Sequence, residues 1–109
     1  MIKTKIFSLI IILFVNNAFA RDYIIVQSTT STANTGLLDL LSEEFFLDTG
    51  IEVRAVAVGT GTAIANARKG DGDVLIVHSK VDELKFVQDG FGVERYDLMY
   101  NDFVILGPN

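Results

Sequence analysis

The chain has 109 residues, half of them hydrophobic, with fourteen acidic against nine basic side chains and a formal net charge of −5. No Lys/Arg cluster interrupts this acidic balance, which excludes the electrostatic footprint of a nucleic-acid-binding protein. Cysteine is absent, so disulfides, thiolate metal sites and a cysteine-linked lipid anchor are excluded as well.

Residues 1–20 read as a secretory signal and not as part of the fold. Lys3 and Lys5 form a positive start, Ile6 to Val15 is apolar apart from Ser8, and Ala18-Phe19-Ala20 is an A-x-A cleavage signature. An apolar stretch of this length makes a helix of roughly 15 Å, about half the hydrocarbon core of a bilayer. Cleavage after Ala20 predicts a soluble protein outside the cytoplasmic membrane, most simply in a periplasm. The remaining residues 21–109 hold seven basic and fourteen acidic side chains, a net charge of −7. Any anion site must therefore depend on local donors and not on overall charge.

From there the chain alternates strand and helix patterns. Tyr23 to Val26 is a short apolar run that fits a strand covered on both faces. Five consecutive hydroxyl residues, Ser28 to Thr32, follow as a loop, with a helix expected from about Asn34 or Thr35. In it Leu37, Leu38, Leu40, Leu41, Phe45 and Phe46 recur at helical spacing, and Thr49-Gly50 supplies the stop. Ile51 to Val58 is the second strand. Gly59-Thr60-Gly61-Thr62 opens a second helix, over Thr62 to Lys69, and Gly70-Asp71-Gly72-Asp73 is a turn. Val74 to Val77 is the third strand. Ser79 caps a third helix with Val81, Leu84 and Val87 on its inner side, and Met99 to Leu106 reads as a last strand, opened by the polar Tyr100, Asn101 and Asp102. The order βα-βα-βα-β predicts a parallel sheet with helices on both faces and right-handed connections.

In such a sheet ligands bind beyond the carboxyl ends of the strands. Both Thr/Ser/Gly loops lie there, in adjacent β-α units, as do His78 and Ser79. Hydroxyls, exposed backbone amides and a helix dipole at a strand-to-helix junction make a cradle of uncharged donors for an anion. An ordinary N-cap needs one hydroxyl, and the first loop supplies five. The glycine loop is not a nucleotide motif: no Lys follows Gly61, and Ile64 stands where a dinucleotide fingerprint needs a small residue. A nucleophilic serine lacks its G-x-S-x-G elbow. One His and scattered carboxylates do not make a metal site. Asp71 and Asp73 lack the further ligands of a calcium loop. His78 is expected to be structural, hydrogen-bonded near Ser79.

The run from Ser28 to Gly36 (STTSTANTG), Val58 to Gly61 (VGTG), Gly70 to Asp73 (GDGD), Val77-His78 and Met99 to Pro108 (MYNDFVILGP) together resemble the tungstate-binding periplasmic proteins of ABC importers, in the same order along the chain. The resemblance implies a two-lobed α/β solute-binding protein of the type II periplasmic-binding class. Such a protein captures a tetrahedral oxyanion, tungstate first, and delivers it to a membrane permease, with no catalysis and no cofactor. It places the oxyanion contacts on Thr29, Thr30, Ser31, Thr32, Gly59, Thr60, Gly61 and Thr62, with the bound oxyanion supplying the only metal. After Gly-Thr-Gly the family usually has Gln-Ala-Leu, whereas this chain has Thr62-Ala63-Ile64, a hydroxyl in place of a longer amide. Residues 21–109 are expected to form the amino-terminal lobe, monomeric, without the second lobe and its contacts. A secreted enzyme acting on a phosphorylated or sulfated substrate through His78 or a serine is the second reading, and a non-functional truncated fragment the third.

Overall fold

The structure, a computed structural model, describes residues 22–108. The expected signal segment lies outside them. Among the described residues the element order is β1 (Tyr23–Thr29), α1 (Thr30–Ala33), α2 (Leu37–Thr49), β2 (Glu52–Val58), α3 (Thr60–Arg68), β3 (Val74–Leu75) and α4 (Lys80–Gln88). No helix among these residues is long and apolar enough to cross a membrane.

The three strands form one parallel sheet in the order β2-β1-β3. β1 runs alongside β2 in unbroken register from Tyr23 opposite Glu52 to Thr29 opposite Val58. Its other side pairs Val26 with Val74 and Gln27 with Leu75. Ile76 N–H extends that pairing by donating to the Gln27 carbonyl at 2.9 Å. The chain steps from β1 outward to β2 and then back across β1 to β3. Crossovers of one hand in opposite directions must pass on opposite faces, and the alternation of side chains agrees. Ile24, Val26, Val53 and Ala55 turn to the side covered by Leu38 and Phe45 of α2. Gln27 turns to the other side, where Asn66 of α3 reaches it.

The boundaries differ from the sequence expectation where polar residues continue an apolar strand. β1 runs on through Gln27, Ser28 and Thr29, and the remaining hydroxyls are not a loop, because Thr30 to Ala33 wind into the single turn α1. α2 starts only at Leu37, after the left-handed Gly36, and it stops as expected. Gly50 takes φ 73° and donates its N–H to the Phe46 carbonyl at 2.8 Å, a conformation glycine reaches without the Cβ clash other residues meet.

The core is small: Val26, Leu38, Ala63, Ile64 and Phe86 are its buried apolar residues. Of the expected α2 stripe only Leu38 is buried, while Leu40, Leu41, Phe45 and Phe46 are exposed at 37–56%. A sheet of three strands is narrow. α2 rests against β2, and an apolar groove of about 370 Å³ remains beside it. α4 also differs from expectation. Val81 and Leu84 are exposed, and the inward side chain is Phe86. Phe86 meets the Phe91 ring at 5.8 Å between centroids, and Gly92 lies so close that an added Cβ would fall 2.9 Å from the Phe86 ring. The helix therefore docks through its last turn, which sets its rotation.

Met99 to Leu106 is not a strand. Its large apolar side chains are exposed and it joins no ladder. An apolar, β-branched run has the propensity for a strand, but a strand exists only where a neighbour takes its backbone hydrogen bonds.

Candidate functional site

The carboxyl end of β1 is built from three consecutive buried polar residues, Gln27, Ser28 and Thr29, each at most 3% exposed. Burying polar groups is tolerated only with partners, and all three have them. Gln27 Nε2 donates to the Asp71 carbonyl at 2.7 Å, and its Oε1 accepts from Asn66 Nδ2 at 3.2 Å. Ser28 Oγ donates to the Ile76 carbonyl at 2.7 Å, which ties β1 to the chain leaving β3. Asp73 exchanges hydrogen bonds with Ile25, its N–H to the carbonyl at 2.8 Å and its carboxylate from the N–H at 2.8 Å. The expected Asp/Gly turn is thus a clamp on β1. Gly72 is required there, because a Cβ would fall 2.8 Å from Gln27 Cγ.

Thr29 carries the hydroxyl cluster. Its Oγ1 caps α1 by accepting from Thr32 N–H at 3.3 Å, and it lies 2.8 Å from Thr32 Oγ1 and 3.1 Å from Ser31 Oγ. Of the expected contacts in the first loop, Thr29, Ser31 and Thr32 are therefore brought together. Thr30 stands exposed at the first position of α1, outside these contacts. Two of the five hydroxyls have work inside the fold: Ser28 in cross-strand pairing and Thr29 as cap.

The second loop arrives next to the first because Thr29 is registered opposite Val58, and α1 packs against β2. Gly59 is the N-cap of α3, extended at φ −69° and ψ 154°, without a side-chain cap. The Ala63 N–H donates to the Gly59 carbonyl at 2.9 Å, so the amides of Thr60, Gly61 and Thr62 precede the helical ladder and carry its partial positive charge. A Cβ added at Gly59 or Gly61 meets nothing within 4 Å. Neither glycine is demanded by packing, and the space in front of both is open. Thr62 is exposed and Thr60 half-buried.

His78 differs from the expectation. It follows the chain leaving β3, and its exposed ring reaches across to the first loop, with Nε2 3.3 Å from Ser31 Oγ. The partner is Ser31 and not Ser79 because β3 lies directly beside β1. That is also where the connection from β1 and the one from β3 diverge, the switch point at which open α/β sheets place ligands. The neighbouring Ser79 pairs its hydroxyl with the Asp82 carboxylate, and its N–H donates to Glu83 Oε1 at 3.1 Å. Glu83 in turn accepts from Arg95 Nε at 2.6 Å, and Arg95 Nη1 reaches Asp97 at 2.8 Å. Hydrogen bonds to Asp97 and then Glu83 raise the Arg95 pKa, and Arg95 holds the Asp97 carboxyl below its ordinary value. This ion network braces α4 behind His78.

A serine 3.3 Å from an imidazole is the first half of a nucleophile–base pair, but among the described residues no carboxylate orients His78. No group of three His, Cys, Asp or Glu side chains that could hold a metal ion occurs among those residues either.

The PBP superfamily domain model matches residues 16–109. The chain belongs to the PBP superfamily. Within it, the chain is 55% identical over 89 residues to the tungstate-binding protein TupA of Peptoclostridium acidaminophilum, covering 82% of this chain and 31% of that protein. Among solved structures, the tungstate-binding protein TupA from Desulfovibrio alaskensis G20 superimposes with a TM-score of 0.72 at 51% identity, over 74% of this chain and 32% of that one. The tungstate ABC transporter structure from Geobacter sulfurreducens gives 0.73 at 49% identity, over 79% and 37%. This PBP-superfamily chain is thus a homologue of tungstate-binding proteins, and it spans about a third of the length of the curated relative and the structures it matches. The comparisons bear out the periplasmic-binding-protein-like α/β fold, and the matched proteins are named as tungstate-binding and ABC-transporter proteins.

Proposed function

We propose that the chain forms one side of an oxyanion-binding cleft in the solute-binding component of an ABC importer, with tungstate as the first ligand. The observation that carries this reading is the meeting of two donor sets at one end of the sheet. The Thr29/Ser31/Thr32 hydroxyl cluster stands beside the open N-terminus of α3 at Gly59, Thr60, Gly61 and Thr62. These groups are uncharged donors. They suit a dianion that already carries its full negative charge, and they hold it without a metal or cofactor. Thr30 completes the set from the first position of α1.

Residues 1–20 act in this reading as a secretory signal that delivers the protein to the periplasm. A monomer then hands the anion to the membrane permease of the importer; among the relatives it resembles are a tungstate-binding protein and a tungstate ABC transporter. Hydrogen bonds to a charged group contribute roughly 1.5–3 kcal/mol each, while nanomolar affinity needs about 12 kcal/mol after the costs of association. The donors on residues 21–109 supply one side of such a site. Titration calorimetry of the 109-residue chain with sodium tungstate should therefore show saturable binding that is at least about a hundredfold weaker than that of a longer TupA relative measured alongside. Absence of any heat of binding or thermal stabilisation at millimolar tungstate would reject the reading.

A further inference from the structure

Both donor sets of the cleft are neutral: neither Ser28 to Thr32 nor Gly59 to Thr62 contains a charged side chain. The chain around them carries a formal net charge of −5, a field that works against a dianion. The basic side chains among the described residues lie elsewhere. Arg54 pairs with Glu52 and stacks on the Tyr23 ring at 3.7 Å, at the amino end of the sheet. Arg68 and Lys85 pair with Asp89, and Arg95 pairs with Glu83 and Asp97. Lys69 follows the far end of α3, and Lys80 acts on Asp97. His78 is placed differently. Its Nε2 lies 3.3 Å from Ser31 Oγ, which is itself 3.1 Å from Thr29 Oγ1.

We propose that His78 is a further anion-contacting residue of this cleft, lending it a positive charge as imidazolium, so that the oxyanion is held more tightly at neutral pH than above it. The inference rests on the anion-site reading above and adds a residue to it. Imidazole is the side chain that changes charge between pH 5 and 8. The charged ring holds hydrogen on both nitrogens, so the charge and its place do not depend on the tautomer of the neutral ring. The groups around the ring leave that charge uncommitted. β1 and α1 bring the uncharged Ser28 to Ala33, and α3 opens with the uncharged Thr60 to Ile64. At the start of α4, Asp82 is bonded to Ser79 Oγ, and Glu83 to the Ser79 N–H and Arg95. Lys80 and Arg95 act on Asp97. Among the described residues no carboxylate is hydrogen-bonded to the ring. Carboxylates, lysine and arginine keep their charge from neutral to mildly alkaline pH, so these neighbours do not make the edge pH-dependent there. Linkage fixes the sign. An anion beside the ring favours the charged form, and by reciprocity the charged ring favours the anion. The gain is present at the lower pH and fades as the ring loses its proton. The edge is open, so water and salt screen the charge and the gain is severalfold.

His78 is the sole histidine of the chain, so in the untagged 109-residue chain its Cε1–H resonance reports this ring alone. Dilute sodium tungstate at a pH of about 7 should move that resonance toward its acid-limit position, and at a pH of about 9 should barely move it. Calorimetry should show the native chain binding tungstate about twofold more tightly at the lower pH, a difference removed in His78→Gln. His78→Lys keeps its charge at both values and should bind tungstate about threefold more tightly than the native chain at the higher pH. His78 is exposed, so neither change opens the core. Tungstate binding without movement of the resonance, equal native affinity at the two pH values, a pH difference that survives in His78→Gln, or no gain in His78→Lys would each overturn the role of His78 while leaving the anion site standing. A native chain that binds no tungstate at either pH removes the site and this role together.

Discussion

At the carboxyl end of β1, Gln27, Ser28 and Thr29 are polar, buried and supplied with partners, Gln27 from α3 and the Asp71–Asp73 turn, Ser28 from the chain after β3 and Thr29 from α1. Along α2 the situation is reversed. Leu40, Leu41, Phe45 and Phe46 are apolar and more than a third exposed, and Leu41 and Phe45 line an open apolar groove beside the helix. The first region is specified by hydrogen bonds with fixed geometry, so each side chain has one arrangement that satisfies it. The second is specified only by area, which three strands provide sparingly. Order at the candidate site therefore does not depend on a large core. It depends on the small number of residues that lock β1 to both of its neighbours.

The comparison can be broken at its strongest point first. Leu38 is the α2 residue that is buried, and Leu38→Ala should destabilise the chain by about 3 kcal/mol, read as a lowered urea midpoint. A loss below about 1 kcal/mol would mean that α2 is not anchored there. Gln27→Leu keeps the bulk but leaves Asn66 Nδ2 and the Asp71 carbonyl without their partner, at a cost of about 2 kcal/mol. Its sharper signature is faster amide exchange at Asp71 and Asp73, and unchanged exchange would show that the turn holds without Gln27. Leu40→Ser lies on the exposed side of the same helix as Leu38 and should move the midpoint by no more than about 0.5 kcal/mol. A larger loss would mean that the uncovered face is covered in solution.

Much of this was legible in the chain itself. The three strands, the two long helices before β3 and the glycine stop at Gly50 follow from period and punctuation, and the family resemblance follows from the order of the motifs. What stayed hidden has physical causes. The apolar run Tyr23–Val26 hid the polar half of β1, because Ser28 and Thr29 read as the start of a loop, and the partners of the buried Gln27 and Ser28 lie 39 to 48 residues away. His78 pointed to Ser79 by proximity in sequence, whereas the strand order 2-1-3 brings it to Ser31. The signal that could have found this was the topology itself, since the loops after β1 and β3 meet at the switch point. Met99 to Leu106 has the composition of a strand, but composition does not supply a neighbour.

The clamp between β1 and β3 also sets an order of assembly. Ser28 and Ile76 are separated by 48 residues, and Ser31 and His78 by 47, so the hydroxyl loop cannot acquire these partners until a long segment has closed on itself. A chain that emerges from its amino end exposes Ser28 to Thr32 well before β3 and His78 follow. In that interval the loop is only a run of hydrated hydroxyls. Its hydroxyls gain their distant partners when β3 docks, which makes the proposed binding edge one of the last features of this sheet to form.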